Sequence, residues 1–338
     1  MVVNNTDIHV SIIATPEVDG SALAGIHGVL TSFTEFVPNS VRFTVEVILP
    51  DSQRDKILSG SHIINNVLGI PIPIHRLTSE VEHTNIVIIP SLYLQQEPWP
   101  QNPYPDLTHW LMAMYQNGAQ LCSACTGAML LAETGLLDGY RATQHWAFEQ
   151  LFRARFPKVE LCIDKVLLAT GLHERILMTG ASAAWHDLVV YLITRYASAE
   201  AAQVMAKFFL LNLHHEGQTP YIIFHDPVQH GDAKIAIAQA RMRQSFREPN
   251  TIDQAMRESG LPPRTFNRRF RKAIGHTPIA HVQHLRIEQA KQDLATSNVP
   301  VDEISWRVGY EDPTFFRRLF KRLTGMTARD YRRKFKID

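Results

Sequence analysis

Two groups of residues in this 338-residue chain could carry chemistry. The first is a cysteine turn. Cys125 lies between an apolar run, Ala119–Ala124, and a helix-like stretch that opens Thr126-Gly127-Ala128. A strand–nucleophile–helix turn exposes one side chain above the carboxyl end of a sheet. The helix N-terminus behind it is expected to lower the thiol pKa. His145, in Arg141-Ala-Thr-Gln-His145-Trp, is the candidate base or partner. Glu17 and Asp19 follow the first strand-like run and fall on the same carboxyl edge, where open α/β sheets bind ligands. The second group is cationic. Arg264, Asn267, Arg268 and Arg271 are spaced i, i+3, i+4, i+7; Thr314, Arg317, Arg318 and Lys321 share a face about fifty residues on. A helical face of that kind can enter a major groove, where Arg takes guanine edges bidentately and Asn takes adenine.

The cysteine turn has plainer readings. Cys122-Ser-Ala-Cys125 has the spacing of a redox pair but only half of its usual context. A single cysteine is more often a small buried hydrophobe. No feature completes the base-and-orienter set that catalysis needs, so no catalytic residue is assigned. Cys125 is read as lining a pocket, with Thr126, Glu17, Asp19 and His145. No metal or cofactor is expected. A cysteine-dependent hydrolase, with Cys125 and His145 at work, is the alternative.

These residues need two kinds of scaffold. Ile8–Thr15, Arg42–Leu49, Asn85–Ile89, Ala119–Ala124 and Ile176–Thr179 read as strands. Ala22–Phe33, 106–117, Gly127–Leu137, Trp185–Tyr196 and Ala199–Leu211 read as helices. Strands alternating with helices imply a parallel sheet covered on both faces, a three-layer flavodoxin-like sandwich. Residues 216–232 carry Gly, Pro and His without periodicity and read as a linker, although its Tyr221–Phe224 run could dock onto either domain. The expected division is a sensing domain over 1–215, this linker, and an all-helical domain over 233–338.

The helical part repeats itself. Gly260-Leu-Pro-Pro-Arg-Thr-Phe-Asn-Arg-Arg-Phe resembles Gly309-Tyr-Glu-Asp-Pro-Thr-Phe-Phe-Arg-Arg-Leu-Phe, and Gly275 and Thr277 recur as Gly325 and Thr327. Each copy gives a short helix, a glycine turn and a basic second helix, the helix-turn-helix layout. Thr251-Ile-Asp-Gln254 matches a capping box. Phe266, Phe270 and Ile274 must face one core; Phe316, Leu319, Phe320 and Leu323 must face another. Pro278–Ala295 reads as one long spacer helix.

The charge supports this division. Residues 241–338 carry 21 Lys and Arg against 11 Asp and Glu, a net of +10, whereas the rest of the chain is −9. A basic module joined to an acidic one fits a polyanion partner at one end. Three cysteines are too few for a disulfide framework. The first residues lack a signal-peptide pattern and no run approaches a membrane span, so a soluble cytoplasmic protein is expected.

Residues 240–335 resemble the AraC/XylS-type DNA-binding domain, most specifically through GYEDPTFFRRLFKRLTG and the ending Thr327-Ala-Arg-Asp-Tyr331-Arg-Arg. The resemblance implies base contacts from Arg264, Asn267 and Arg268, and from Thr314, Arg317 and Arg318. Ala328 stands where many members carry Pro. Residues 7–211 resemble the PfpI-like, class-I glutamine amidotransferase-like domain, through Cys125–Gly139, Arg141–Trp146 and Gly180-Ala-Ser-Ala-Ala-Trp-His-Asp187. Hydrolytic members often place His where this chain has Thr126, which argues against peptidase or amidase activity. Together the two parts are similar to GlxA-type regulators. The resemblance implies a homodimeric transcriptional regulator that binds double-stranded DNA and answers an amino-acid-like or quaternary-amine effector. As an activator it would also meet RNA polymerase.

Overall fold

The computed structural model describes residues 7–94, 99–226 and 230–337; residues 227–229 of the expected linker lie outside them. The chain divides into two compact units, 1–218 and 219–338.

The first unit holds strands β1 (Asp7–Ile13), β2 (Arg42–Leu49), β3 (Ile63–Asn65), β4 (Pro71–Pro73), β5 (Arg76–Leu77), β6 (Ile86–Ile89), β7 (Gln120–Ala124), β8 (Arg141–Ala142), β9 (Glu160–Leu161), β10 (Leu167–Thr170) and β11 (Ile176–Thr179). Its α-helices are α1 (Gly20–Thr31), α2 (Phe33–Phe36), α3 (Pro105–Gln116), α4 (Gly127–Glu133), α5 (Glu149–Arg155), α6 (Trp185–Tyr196) and α7 (Ala199–Phe208). A seven-stranded sheet runs β10-β11-β7-β6-β1-β2-β5. Every pairing in it is parallel except that of β10 with β11. An antiparallel edge on a parallel sheet is common. Leu167–Thr170 is short and half-buried, so it carries no continuous apolar run that would betray a central strand.

Alternation along the strands builds two cores. Ile86 and Ile88 join α1, α6 and α7 on one face. Val87 and Ile89 join α3, α4 and α5 on the other. Successive strand side chains point to opposite faces, so a strand sandwiched by helices must be apolar throughout. This is the three-layer α/β arrangement. Beside it stand a β3–β4 antiparallel hairpin and a β8–β9 pair. Helix α4 stops at Glu133, short of the expected Leu137, because Gly135 turns left-handed at φ 74°.

The second unit is helical: α8 (Ala233–Ser245), α9 (Thr251–Ser259), α10 (Pro263–Ile274), α11 (Pro278–Thr296), α12 (Val301–Arg307), α13 (Pro313–Thr324) and α14 (Ala328–Phe335). It has two hydrophobic cores. Ile235, Met242, Phe266, Phe270 and Val282 make the first. Ile287, Leu294, Ile304, Phe316, Phe320 and Tyr331 make the second. Helix α11 supplies residues to both and is the spine between them. The capping box expected at Thr251 does not form. Asn250 is the cap residue, Gln254 Nε2 donates to its Oδ1 (2.9 Å), and Thr251 is buried with its hydroxyl on Ser245 (2.7 Å). Among the described residues no helix is long and apolar enough to cross a membrane.

Candidate nucleic-acid interface and the cysteine elbow

The two helix-turn-helix copies are built alike. Helix α9 ends on Gly260, which is left-handed at φ 63°, and the turn after α12 places Gly309 at φ 93°. Glycine reaches that region without the Cβ clash that penalises other residues. At Gly309 the need is doubled, since a Cβ would sit 2.4 Å from the Arg247 carbonyl oxygen. Proline at the first helical position then starts both α10 and α13. Buried Phe266, Phe270 and Ile274 anchor α10, and buried Phe316, Leu319 and Phe320 anchor α13. Each large side chain so buried contributes about 1.5–3 kcal/mol.

The opposite faces are open. Arg264, Asn267, Arg268 and Arg271 are all exposed on α10, as are Thr314, Arg317, Arg318 and Lys321 on α13. Asn267, Arg268 and Arg271 line one shallow depression together with Lys272 and Thr277. Asn267 Nδ2 already donates to the Pro263 carbonyl (3.0 Å). On α13 the depression is lined by Phe315, Arg318, Leu319 and Arg322. Arg317 instead pairs with Asp302 of α12. Arg269, absent from the expected stripe, turns to the other side and grips Asp232, the cap of α8, through two hydrogen bonds of 2.8 and 2.6 Å.

Lys272 and Arg322 lay within reach of sequence reasoning, one helical turn beyond Arg268 and Arg318. Phe315 did not, because a polar stripe excludes it by type. Nor did Arg286 on α11. Its guanidinium donates to the carbonyls of Phe246 (2.6 Å) and Glu248 (3.1 Å) at the end of the first copy's leading turn and of Gly309 (2.8 Å) in the second copy. It also stacks over Tyr310 at 5.0 Å.

At the carboxyl edge of the sheet the loops after β1, β6 and β7 are stitched together. Asp19 N–H donates to Ser91 (2.8 Å) and Tyr93 N–H donates to the Glu17 carbonyl (2.8 Å). Thr126 closes the third side: its hydroxyl donates to the Leu92 carbonyl and accepts from the Leu92 N–H, both at 2.7 Å. Gly127 lets α4 pass so close that a Cβ would lie 2.4 Å from the Ile89 carbonyl oxygen. Glu17 accepts from the Tyr104 hydroxyl at 2.5 Å. Burial, and then Glu17, push that hydroxyl's pKa up. Asp19 caps α1 through Ser21 (3.0 Å) and accepts from the Tyr93 hydroxyl (3.3 Å).

Cys125 sits at the tip of this edge with φ 54°, a region non-glycine residues seldom enter. Its thiol lies 3.4 Å from the Ser182 hydroxyl, in the loop after β11. The expected lowering of its pKa is overturned. The thiol is almost wholly buried, and burial pushes its pKa up despite hydrogen bonds from Ser182 and Thr126. Desolvation of a thiolate outweighs a helix terminus when little solvent reaches the sulfur. His145 is not hydrogen-bonded to Cys125. Its Nδ1 accepts from Ala147 N–H at 3.1 Å, its ring lies against Trp146 and Phe148, and burial lowers its pKa. Cys122 is buried inside β7, and all three thiols are free. Among the described residues no cluster of His, Cys, Asp and Glu is arranged to hold a metal ion.

Comparison with known proteins agrees with this geometry. The family described as a helix-turn-helix domain matches residues 256–334. The chain is 27% identical to the HTH-type transcriptional regulator ArgR of Pseudomonas aeruginosa, over 71% of this chain and 72% of that protein. It is 28% identical to CdhR of the same organism, over 64% of each. It is 24% identical to GlxA of Rhizobium meliloti, over 64% of this chain and 66% of that one. The C-terminal unit is therefore a helix-turn-helix domain, and the chain is a homologue of helix-turn-helix transcriptional regulators of the ArgR, CdhR and GlxA kind.

Proposed function

We propose that this protein is a sequence-specific regulator of transcription, with α10 and α13 entering the major groove of one duplex. The observation that carries this is the duplication: two glycine-turned, phenylalanine-anchored copies, each presenting an exposed cationic face. One basic helix is ordinary solvated surface, but two copies with matching turn, core and charge form a reading pair. Arg264, Asn267, Arg268 and Arg271 work from the first copy, and Thr314, Arg317, Arg318 and Lys321 from the second. The relatives' names, which are those of transcriptional regulators, support the same reading.

A small effector is held over the carboxyl edge of the sheet in the first unit. Ser182 stands exposed above the buried Cys125, Glu17 and Asp19 supply carboxylates, and Thr126 fixes the loops. His145 belongs to the neighbouring loop. The protein works as a homodimer in the cytoplasm, and dimerisation doubles the DNA contacts. A hydrolytic role has little support: burial pushes the thiol pKa up, away from the reactive thiolate, and its hydrogen-bond partner is a serine, not a base.

Selection of genomic fragments by the full chain tests the DNA reading. Recovery of a shared motif is expected, and failure to retain any fragment at low salt would end it. A melting-temperature screen against small amines and amino acids tests the effector site. A ligand whose stabilisation vanishes in Cys125→Ser, with DNA binding intact, is the expected result. Turnover of a small amide or aldehyde that Cys125→Ser abolishes would point to the hydrolase instead.

A further inference from the structure

The helical unit has two separate cores that share helix α11, so the placement of α10 relative to α13 is carried by that one helix and by whatever braces the two halves across it. Arg286 is one brace between the halves. The segment that enters this unit supplies a second. Residues 219–226 cross the unit and touch three of its helices in turn. The Tyr221 ring meets Phe335 of α14 edge-on at 5.2 Å. The Ile222 carbonyl accepts from Lys291 Nζ of α11 at 2.6 Å, and Lys291 is buried. Phe224 stacks on His284 of α11 with centroids 4.8 Å apart and planes 11° from parallel, and it meets buried His281 at 5.6 Å. Asp226 accepts from Arg243 Nε of α8 at 2.6 Å and from Gln239, and lies 3.5 Å from His281. One end is thus fixed to the second copy's side and the other to the first copy's.

We propose that residues 219–226 form a strap whose positioning residues, Tyr221, Phe224 and Asp226, set the separation of the two reading helices. They thereby set the spacing of half-sites that the protein accepts in duplex DNA. The inference rests on the DNA-binding reading above. Without the strap the two copies would be held only by α11 and Arg286, and their separation could vary within a range. A strap anchored at both ends turns them into one rigid ruler, whose second contact is strengthened only at the matching distance.

The experiment is selection from a library of random 30-base-pair duplexes, run with the full chain and with Phe224→Ala, Phe224→Leu and Asp226→Asn. Helical content is checked by circular dichroism in each. The wild type is expected to recover two half-motifs at one spacing. The folded Phe224→Ala and Asp226→Asn variants should recover the same half-motifs at several spacings. They should bind the wild-type duplex roughly tenfold more weakly while binding a duplex with one half-site scrambled as before. Phe224→Leu should fall between. A folded Phe224→Ala or Asp226→Asn variant that keeps the single wild-type spacing overturns the strap. So does equal weakening on intact and scrambled duplexes, or loss of helical content in all three variants. A wild type that selects nothing overturns the DNA reading itself.

Discussion

The two helix-turn-helix copies share a plan and differ at the surface they show. In the first, Asn267, Arg268, Arg271, Lys272 and Thr277 line a dish, so every side chain there ends in a polar or cationic group. In the second, Phe315 and Leu319 sit between Arg318 and Arg322, and Arg317 is held by Asp302. Equal charge in the sequence is therefore unequal charge on offer. The first copy suits phosphates and base edges that accept hydrogen bonds. The second has fewer free cations and an exposed ring that can lie against a thymine methyl group. The duplication has preserved the fold of each half and allowed its contact chemistry to diverge.

The largest effects should expose the independence of the halves. Phe270→Ala and Phe320→Ala each remove a buried ring from a different core and should cost about 3–5 kcal/mol. Hydrogen exchange should accelerate in the half that carries the change and spare the other; uniform acceleration would mean one cooperative core. Acid should also separate them. His281 and His284, which face the first copy's side, have pKa values lowered to about 4 by burial; His276, His281 and Lys291 add to the lowering at His284, whereas Asp226 opposes it at His281. The unfolded chain takes up these protons near pH 6.5, so stability is complete above that pH and falls as pH drops from 6.5 towards 4. Melts at stepwise pH should show this fall, and His284→Gln should flatten part of it; a flat wild-type profile would contradict it.

The turns differ too. Gly260→Ala meets only the left-handed backbone penalty of about 1–2 kcal/mol. Gly309→Ala adds a collision with the Arg247 carbonyl and should cost clearly more by denaturant titration. Smaller still are the surface changes. Arg268→Ala should cost on the order of 1–3 kcal/mol at a selected site and much less on random DNA. Arg317→Ala should cost less than Arg268→Ala, because its guanidinium must first leave Asp302. Asp302→Ala should then tighten binding by under about 1 kcal/mol. Equal losses for the two arginines would erase the distinction between the copies.

Much of this was legible in the sequence. Arg42–Leu49, Ile176–Thr179 and Trp185–Tyr196 match their elements to the residue, because strand alternation, short apolar runs and 3.6-residue periodicity are local signals. The two glycine turns were legible for the same reason. What escaped depends on partners far along the chain. The capping box at Thr251 lost to a hydroxyl contact with Ser245. Ser182 reaches Cys125 only because β11 pairs with β7. Segment 219–226 reads as linker with a Tyr221–Phe224 run that could dock; where it docks depends on aromatic and ionic contacts with α8, α11 and α14, which no repeat of its own announces. The thiol pKa went astray because a helix terminus can be read from a sequence, whereas the depth of burial cannot.

The left-handed backbone at Cys125 has a consequence beyond its chemistry. Holding a non-glycine residue there stores strain of about 1–3 kcal/mol, which the stitched loops around it sustain. What that strain secures is direction: whatever side chain occupies the position is aimed at Ser182. The elbow thus works as a pointer whose tip can be exchanged, and a serine or alanine in its place should keep the backbone direction while changing only what the Ser182 hydroxyl meets.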